Sequence, residues 1–246
     1  MRYKITIEYD GTNYCGYQKQ PDQKNRSIEE NLENAIFSFS KEEVKIFASG
    51  RTDAGVHALG QVVHFDLSKE FDNYRVIFAL NHYLLKEDIA VVDCQKVSQE
   101  FHSRFCAKMR HYRYIIINRT GSLTLQKNRA WHLRKILDIE KMQQASQFLI
   151  GKHDFSSFRD AECQSKTPIR SIENISIQKV GNELIIEVSA RSFLHHMVRN
   201  IVGTLVWAGY NKIKPQDMKE ILESKDRAKS GPNAPACGLY LLKIDY

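Results

Sequence analysis

The chain has 246 residues, of which 42% are hydrophobic, and this composition excludes wholesale disorder. The formal net charge of +7 favours a polyanionic partner without identifying one. No apolar run reaches the length of about 20 residues that a membrane helix needs, so we expect no membrane segment. The five scattered cysteines include no CxxC pair, so we expect no structural zinc and a protein of the reducing cytoplasm.

The first half of the chain alternates strand-like and helix-like segments in the order β-α-β-β-α-β. Ser27 and Glu30 form a capping box, which predicts the start of the first helix. The predicted segments are a strand at 3–9, a helix at 27–39, strands at 44–48 and 61–67, a helix at 72–84 and a strand at 89–94.

The second half repeats this order of elements without a residue-level repeat. Asp138 is a plausible cap and Gly151 a plausible stop for a helix over 139–150, and Val180-Gly181-Asn182 predicts a short hairpin connection. The other predicted segments are strands at 110–118, 175–179 and 183–190, a long apolar helix at 192–209, a short helix starting at Pro215 and a last strand at 238–246.

This order predicts an α+β fold made of two ferredoxin-like halves, residues 1–105 and 106–246. Joined edge to edge, the halves would form one extended, mainly antiparallel sheet. Helices would cover one face of that sheet, and the other face would be free to form a basic cleft.

The first half has a longer connection between its two middle strands than the second half. Its sequence is SGRTDAGVHALG, residues 49–60, where the second half has only a hairpin turn. Extra loop length in one copy of a repeated order favours a functional role. From the residues alone two interpretations stay open: Asp53 orders a Gly-flanked turn beside Arg51, or it is a catalytic carboxylate.

Two other chemistries fit the sequence less well. Asp53, His57 and His64 include metal-ligand residue types, but their spacing does not match HExxH. YDGTNY resembles the DxDGT signature of phosphatases around Asp10, yet Glu8 stands where the nucleophilic Asp belongs. A hydrolase of small phosphate esters is therefore a weak alternative.

Features typical of nucleic-acid binding are more coherent. Strand alternation in KMRHYRYII places Lys108, Arg110, Tyr112 and Tyr114 on one face, which suits a phosphate backbone and a stacked base. The alternative is a solvated strand face. FHSRF adds Arg104, and Arg199 within an apolar helix needs a partner such as an aspartate in a cleft loop.

Five motifs occur in the order GRTDAGVHALGQVVHF, FHSRF, RHYRYIIIN, DFSSFR with CQSKTPIR, and FLHHMVRNIVG. Together they resemble the bacterial tRNA pseudouridine synthase A family, over essentially the whole chain. The resemblance implies an isomerase that converts uridines at nucleotides 38 to 40 of the tRNA anticodon stem-loop into pseudouridine. It also implies a homodimer that needs no cofactor and no metal.

The resemblance also implies roles for individual residues. Asp53 matches the essential aspartate that acts on a flipped-out uridine, and Tyr112 matches the tyrosine that stacks on the uracil. Arg51 shares the loop of Asp53, and Arg199 matches the arginine expected to pair with that aspartate. Walls of the pocket would come from Phe193 and Leu194, and further substrate contacts from Arg110 and Arg104.

Three positions depart from the family pattern: Tyr17 replaces a usual Trp, Leu85 a usual Pro, and Ala236 a second Pro. None of them is an expected catalytic residue, so they affect expectations about loop geometry only. The main alternative from another class is a non-catalytic RNA-binding or tRNA-folding module in which Asp53 merely orders its loop.

Overall fold

The computed structural model describes residues 1–20 and 26–246. In these residues the chain forms ten β-strands and five α-helices, which confirms the predicted α+β class. The chain divides into two compact units, Met1–Lys108 with Tyr240–Tyr246, and Met109–Leu239. The predicted domains 1–105 and 106–246 stay a prediction. Within the described residues, no helix is long and apolar enough to cross a membrane.

The first unit contains the whole predicted β-α-β-β-α-β order. Strand β1 lies antiparallel between β3 and β4, and Ser27 caps α1 as predicted, accepting a hydrogen bond from the Glu30 N–H at 3.1 Å. Alternate residues of β1 (Tyr3, Ile5 and Ile7) are fully buried. The elements are β1 (Arg2–Tyr9), α1 (Ile28–Ser40), β2 (Phe47–Ala48), β3 (His57–Asp66), α2 (Asn73–Tyr83), β4 (Ile89–Val97) and, from the end of the chain, β10 (Leu239–Asp245).

Strand β3 differs from its prediction in a way that affects the loop before it. It begins at His57 instead of residue 61, so the connection from β2 comprises residues 49–56 only. Strand β2 has two residues and pairs only with Val63 and His64 of β3. The other end of that edge therefore remains for β10, which pairs parallel to it at His57 and Ala58. Residues Tyr240–Tyr246, which contain most of the closing strand, thus lie in the first unit.

The second unit is built on β9, which lies antiparallel between β5 and β8. The predicted hairpin is present, with Gly181 at a φ of 61° in a two-residue turn. Asp138 caps α3 by accepting a hydrogen bond from the Lys141 N–H at 3.2 Å. The elements are β5 (Met109–Asn118), β6 (Trp131–Leu133), α3 (Ile139–Gln147), β7 (Gly151–Asp154), β8 (Ile169–Val180), β9 (Glu183–Ala190), α4 (Met197–Gly209) and α5 (Asp217–Ser224).

Helix α4 begins five residues later than predicted, at Met197 instead of residue 192. His196 precedes it with a φ of 60°, a left-handed conformation that cannot continue a helix. The preceding residues instead form a loop, in which the His195 carbonyl accepts a hydrogen bond from the Asp160 N–H at 3.2 Å. Two short strands, β6 and β7, were not predicted because three or four residues carry too little periodicity.

Candidate active site

The loop that carries Asp53, residues 49–56, is fixed to β3 at its start. The Ser49 N–H donates to the Val62 carbonyl at 2.8 Å, and the Ser49 hydroxyl donates to Gln61 Oε1 at 2.6 Å. The Gln61 amide in turn donates to the Gly50 carbonyl at 2.7 Å. Since Ser49 and Gln61 are both buried, these bonds define where the loop leaves the sheet.

Residues 9–17 support the same loop from another direction. The Tyr9 and Thr52 hydroxyls lie 2.8 Å apart, and the Tyr17 N–H donates to the Thr52 carbonyl at 3.0 Å. Two glycines permit this close approach, because a Cβ on Gly11 would lie 2.0 Å from the Val56 carbonyl oxygen and one on Gly16 would lie 2.8 Å from that of Thr52. The motif YDGTNYCGYQ is therefore a support for the Asp53 loop.

Asp53 itself lies in a tight turn. Its carbonyl accepts a hydrogen bond from the Val56 N–H at 3.1 Å, and Gly55 has a φ of 77°. The Asp53 side chain is half-buried, whereas Arg51 is exposed. The prediction of a turn is thus right about the backbone of Asp53. The turn carries the Asp53 carboxylate, and hydrogen bonds from β3 and from residues 9–17 hold the loop on two sides.

Asp10, which motivated the phosphatase alternative, has a structural role. Its carboxylate accepts a hydrogen bond from the Thr12 N–H at 3.0 Å and caps a 3₁₀ helix, Gly11–Asn13. The Nδ1 atom of His57 lies 3.1 Å from both the Asp10 carboxylate and the Gly11 nitrogen. These contacts explain the residues of YDGTNY without phosphoryl chemistry.

His64 attaches the FHSRF segment to β3. It is buried, and its Nδ1 atom lies 3.2 Å from the Ser103 N–H and 3.0 Å from the Ser103 hydroxyl oxygen. Burial, helped by the nearby charges of His102 and Arg2, lowers the pKa of His64 to about 4. A neutral imidazole therefore holds this segment near pH 7, and Arg104 projects from it with an exposed side chain.

In the second unit, Tyr112 lies on β5 and packs edge-to-face against Phe193, with ring centroids 5.1 Å apart. Both rings are half-buried, and Leu194 beside Phe193 is buried. Two residues on, Tyr114 is fully buried and donates its hydroxyl to the Pro235 carbonyl at 2.7 Å. Burial raises the pKa of Tyr114. Both predictions for this strand face, contact with RNA and exposure to solvent, are therefore wrong at Tyr114.

The two predicted arginines of this unit are both held by backbone carbonyls. Arg110 donates from Nη1 to the Arg191 carbonyl at 2.5 Å, which ties β5 to the loop before α4. Arg199 donates from Nε to the Ala234 carbonyl at 2.7 Å, and its own carbonyl accepts the Ala234 N–H at 3.2 Å. These bonds fix both side chains at defined positions.

A pair of histidines before α4 received no role from the sequence. The rings of His195 and His196 stack with centroids 3.9 Å apart, and His196 Nδ1 lies 2.6 Å from an Asp160 carboxylate oxygen. The Glu162 N–H and these histidines lower the pKa of Asp160. The HH doublet was visible in the sequence, but its contact with Asp160, 36 residues away, was not.

The predicted residues fall into two groups, one in each unit. Asp53 and Arg51 share one loop of the first unit, and Arg104 lies on another loop of that unit. The second unit carries the other five: Tyr112, Arg110, Phe193, Leu194 and Arg199. Sequence reasoning missed the residues that support the Asp53 loop, chiefly Gly11, Gly16 and Gln61, because their contacts are long-range.

Comparison with known proteins adds to this geometry. A family model described as tRNA pseudouridine synthase matches residues 5–106 and 145–246. Among curated proteins, this chain is 53% identical to tRNA pseudouridine synthase A of Ehrlichia canis (strain Jake), 51% to that of Wolbachia pipientis wMel and 47% to that of Anaplasma phagocytophilum (strain HZ). Each match spans 246 residues and covers 100% of both chains.

Proposed function

The chain belongs to the tRNA pseudouridine synthase family, and we propose from this membership that it isomerises uridine to pseudouridine in tRNA. The observation that connects this proposal to a particular residue is the set of hydrogen bonds that fix loop 49–56. Hydrogen bonds from β3 and from residues 9–17 fix the backbone around a half-buried carboxylate, Asp53. Such preorganisation is what a positioned catalytic group requires.

The reaction itself is redox-neutral and conserves every atom. The C1′–N1 bond of uridine breaks, a C1′–C5 bond forms, and the proton from C5 is replaced by one on N1. Asp53 acts as the nucleophile: its carboxylate forms an ester at C1′ as the C1′–N1 bond breaks, as carboxylates do in retaining glycosidases. C5 of the released uracil then attacks C1′, the ester bond breaks, and the Asp53 carboxylate leaves.

A second chemical route starts from the same carboxylate. In it Asp53 removes the proton from C2′, the C1′–N1 bond breaks, and uracil leaves a glycal behind. C5 of the uracil then bonds to C1′ and the proton returns to C2′. Deuterium at C2′ separates the two routes, because only the glycal route gives a primary isotope effect on the chemical step. The ester route predicts single-turnover rates that differ little between C2′-protonated and C2′-deuterated substrate.

The other predicted residues receive supporting roles. Tyr112 stacks on the flipped-out uracil, and the half-buried edge-to-face pair with Phe193 supports this role because it limits the orientation of the ring. Arg110 and Arg104 contact phosphates of the substrate. Arg199 and Arg51 provide positive charge for the reaction, Arg199 as the charge partner of the catalytic aspartate.

The site of modification is the anticodon stem-loop, at nucleotides 38, 39 and 40. A base at a stem end or in a loop leaves its stack at a cost of a few kcal/mol, less than within a long duplex. The protein acts as a homodimer in the cytoplasm. All five cysteines are free thiols, which supports a reducing compartment.

Pseudouridine mapping in unmodified tRNA transcripts tests the function. Purified wild-type protein alone is expected to produce pseudouridine at nucleotides 38–40, and cytidine substituted at those nucleotides should abolish the product. A protein that binds the transcripts but makes no pseudouridine would instead be an RNA-binding module. Sedimentation analysis across a range of protein concentrations tests the homodimer, and a monomer throughout would refute that part.

A further inference from the structure

The segment between β7 and β8 carries a motif that the proposed reaction does not use. It contains the residues DFSSFR and CQSKTPIR, from Asp154 to Arg170. A 3₁₀ helix, Ser156–Phe158, begins it, and Phe155 and Phe158 anchor it with fully buried rings. Beyond this anchor the segment is polar, and it contains three cationic side chains, Arg159, Lys166 and Arg170.

Two of these cations converge on one residue. Arg159 donates from Nη2 to the carbonyl oxygens of Cys163 at 2.7 Å and Ser165 at 2.9 Å. Arg170 donates from Nη2 to the Ser165 hydroxyl at 2.6 Å. Lys166 follows Ser165 directly and is exposed. The segment thus places two guanidinium groups at Ser165 and an exposed lysine at the next position in the sequence.

Neutral groups, not carboxylates, hold the two guanidinium groups. Besides Ser165, Arg170 donates to the carbonyls of Thr167 and Ile169 at 2.9 and 2.6 Å. Among the described residues no carboxylate forms an ion pair with Arg159 or Arg170. The nearest carboxylate in sequence, that of Asp160, lies 2.6 Å from His196 Nδ1 and accepts the Glu162 N–H at 3.0 Å. The positive charge of the pair is therefore not neutralised within the described chain.

The pair also keeps hydrogen-bond donors for a ligand. An arginine has five N–H donors, and among the described residues Arg159 contacts two carbonyls through Nη2 and also the Cys163 thiol, which leaves further N–H donors. The Nε of Arg170 is buried and has no hydrogen-bond partner in the part of the chain that the structure describes. Burial and the charge of Arg159 lower the pKa of Arg170, although the group stays cationic near pH 7. A buried N–H without a partner and the repulsion between two cations both raise the free energy of the unliganded segment, and a bound anion would lower it.

We propose that Arg159, Lys166 and Arg170 form a binding site for one phosphodiester of the tRNA backbone. The identity of the ligand rests on the proposed function, since tRNA is the polyanion that this protein would meet. Guanidinium forks match phosphate oxygens in bidentate geometry, and a lysine adds a mobile charge at the rim. All three side chains are at least partly accessible, which suits a phosphate within a polymer.

The arginines also order their own segment through the carbonyls, so removing either one can disturb folding. Lys166 avoids this difficulty because it is exposed and makes no hydrogen bond or ion pair in the described residues. The primary variant is therefore Lys166→Gln, with Arg159→Gln and Arg170→Gln beside it. The matched control is Lys179→Gln, an exposed lysine near the far end of β8.

The experiment measures the dissociation constant of an unmodified tRNA transcript over a range of salt concentrations. Because the site holds one phosphate, all three side chains together should account for roughly 0.7 to 1 of the slope of log Kd against log salt. We expect Lys166→Gln and each arginine variant that folds to weaken binding and to lose part of that slope, and we expect no change for Lys179→Gln. Ethylation of the contacted phosphate should weaken tRNA binding by the wild type. In Lys166→Gln, ethylation at that one nucleotide should no longer weaken binding.

Two results would overturn the proposal: Lys166→Gln with the affinity and slope of the wild type, or equal losses in Lys166→Gln and Lys179→Gln. Failure of the proposed function gives a different pattern. In that case the wild type binds transcripts without forming pseudouridine, and the loss of slope in Lys166→Gln still reports the phosphate site.

Discussion

The support of the Asp53 loop by residues 9–17 predicts a specific effect of Gly16→Ala. Gly16 has a φ of 111°, which an alanine adopts only with strain of about 1–3 kcal/mol. A Cβ there would also lie 2.8 Å from the Thr52 carbonyl oxygen and 3.2 Å from the Ala54 nitrogen, both of which are backbone atoms. Overpacking of this kind costs about 1–3 kcal/mol. The free energy of unfolding should therefore fall by about 2–6 kcal/mol.

The same substitution should impair catalysis more than tRNA binding. Relief of the contact moves the backbone of residues 52–54, and a displacement of about 1 Å at a reacting group costs on the order of 10²-fold in rate. That factor corresponds to about 2.7 kcal/mol of transition-state stabilisation. Single-turnover pseudouridine formation at saturating enzyme, below the melting temperature of the variant, measures it.

Gly50→Ala is the matched control for this prediction. Gly50 lies on the same loop, but a Cβ there would have no atom within 4 Å and its φ is not positive. It should therefore change the free energy of unfolding by less than about 0.5 kcal/mol. If Gly16→Ala keeps the wild-type single-turnover rate within twofold, residues 9–17 do not position Asp53 and the reasoning is refuted.

Three further predictions concern aromatic and titrating side chains. The Tyr17 hydroxyl is buried and has no hydrogen-bond partner among residues 1–20 and 26–246, so Tyr17→Phe should leave the free energy of unfolding unchanged or raise it by about 1 kcal/mol. A loss above that size in chemical denaturation would contradict this. If Tyr112 stacks on the uracil, Tyr112→Phe should bind tRNA nearly as well as wild type, whereas Tyr112→Leu should lose about 1–3 kcal/mol of binding free energy. Equal affinities of the two variants in fluorescence anisotropy would argue against stacking. Because the pKa of buried His64 is about 4 in the folded protein and 6.5 when unperturbed, the unfolded state binds more protons between these values. The free energy of unfolding should therefore fall by about 2–3 kcal/mol as the pH drops from about 6.5 to 4. Denaturant titrations of His64→Gln over the same pH range should show a smaller fall.

The sequence predicted those elements that depend on residues close to one another in the chain. The capping box at Ser27 and Glu30, the cap at Asp138 and the glycine turn at Gly181 all appear where the sequence indicated them. Each depends on residues within a few positions of one another. The same is true of the α+β class, which follows from the order of such elements.

Other features depend on contacts that no local pattern carries. Strand β10 pairs with β3 because the very short β2 leaves part of that edge open, and this is a competition between distant segments. Helix α4 starts at Met197 because His196 adopts a left-handed conformation beside Asp160, although the apolar pattern continues upstream. The glycines of residues 9–17 contact a loop some 40 residues away, and in the sequence they look like a turn or a phosphatase signature.

The catalytic role of Asp53 is the central claim, and Asp53→Asn tests it most directly. The carboxamide keeps the size of the side chain but cannot act as an ionised nucleophile. We expect single-turnover pseudouridine formation in tRNA to fall by roughly 10⁴-fold or more, while the dissociation constant of the tRNA changes by less than about threefold. A variant that still forms pseudouridine within tenfold of the wild-type rate would contradict it.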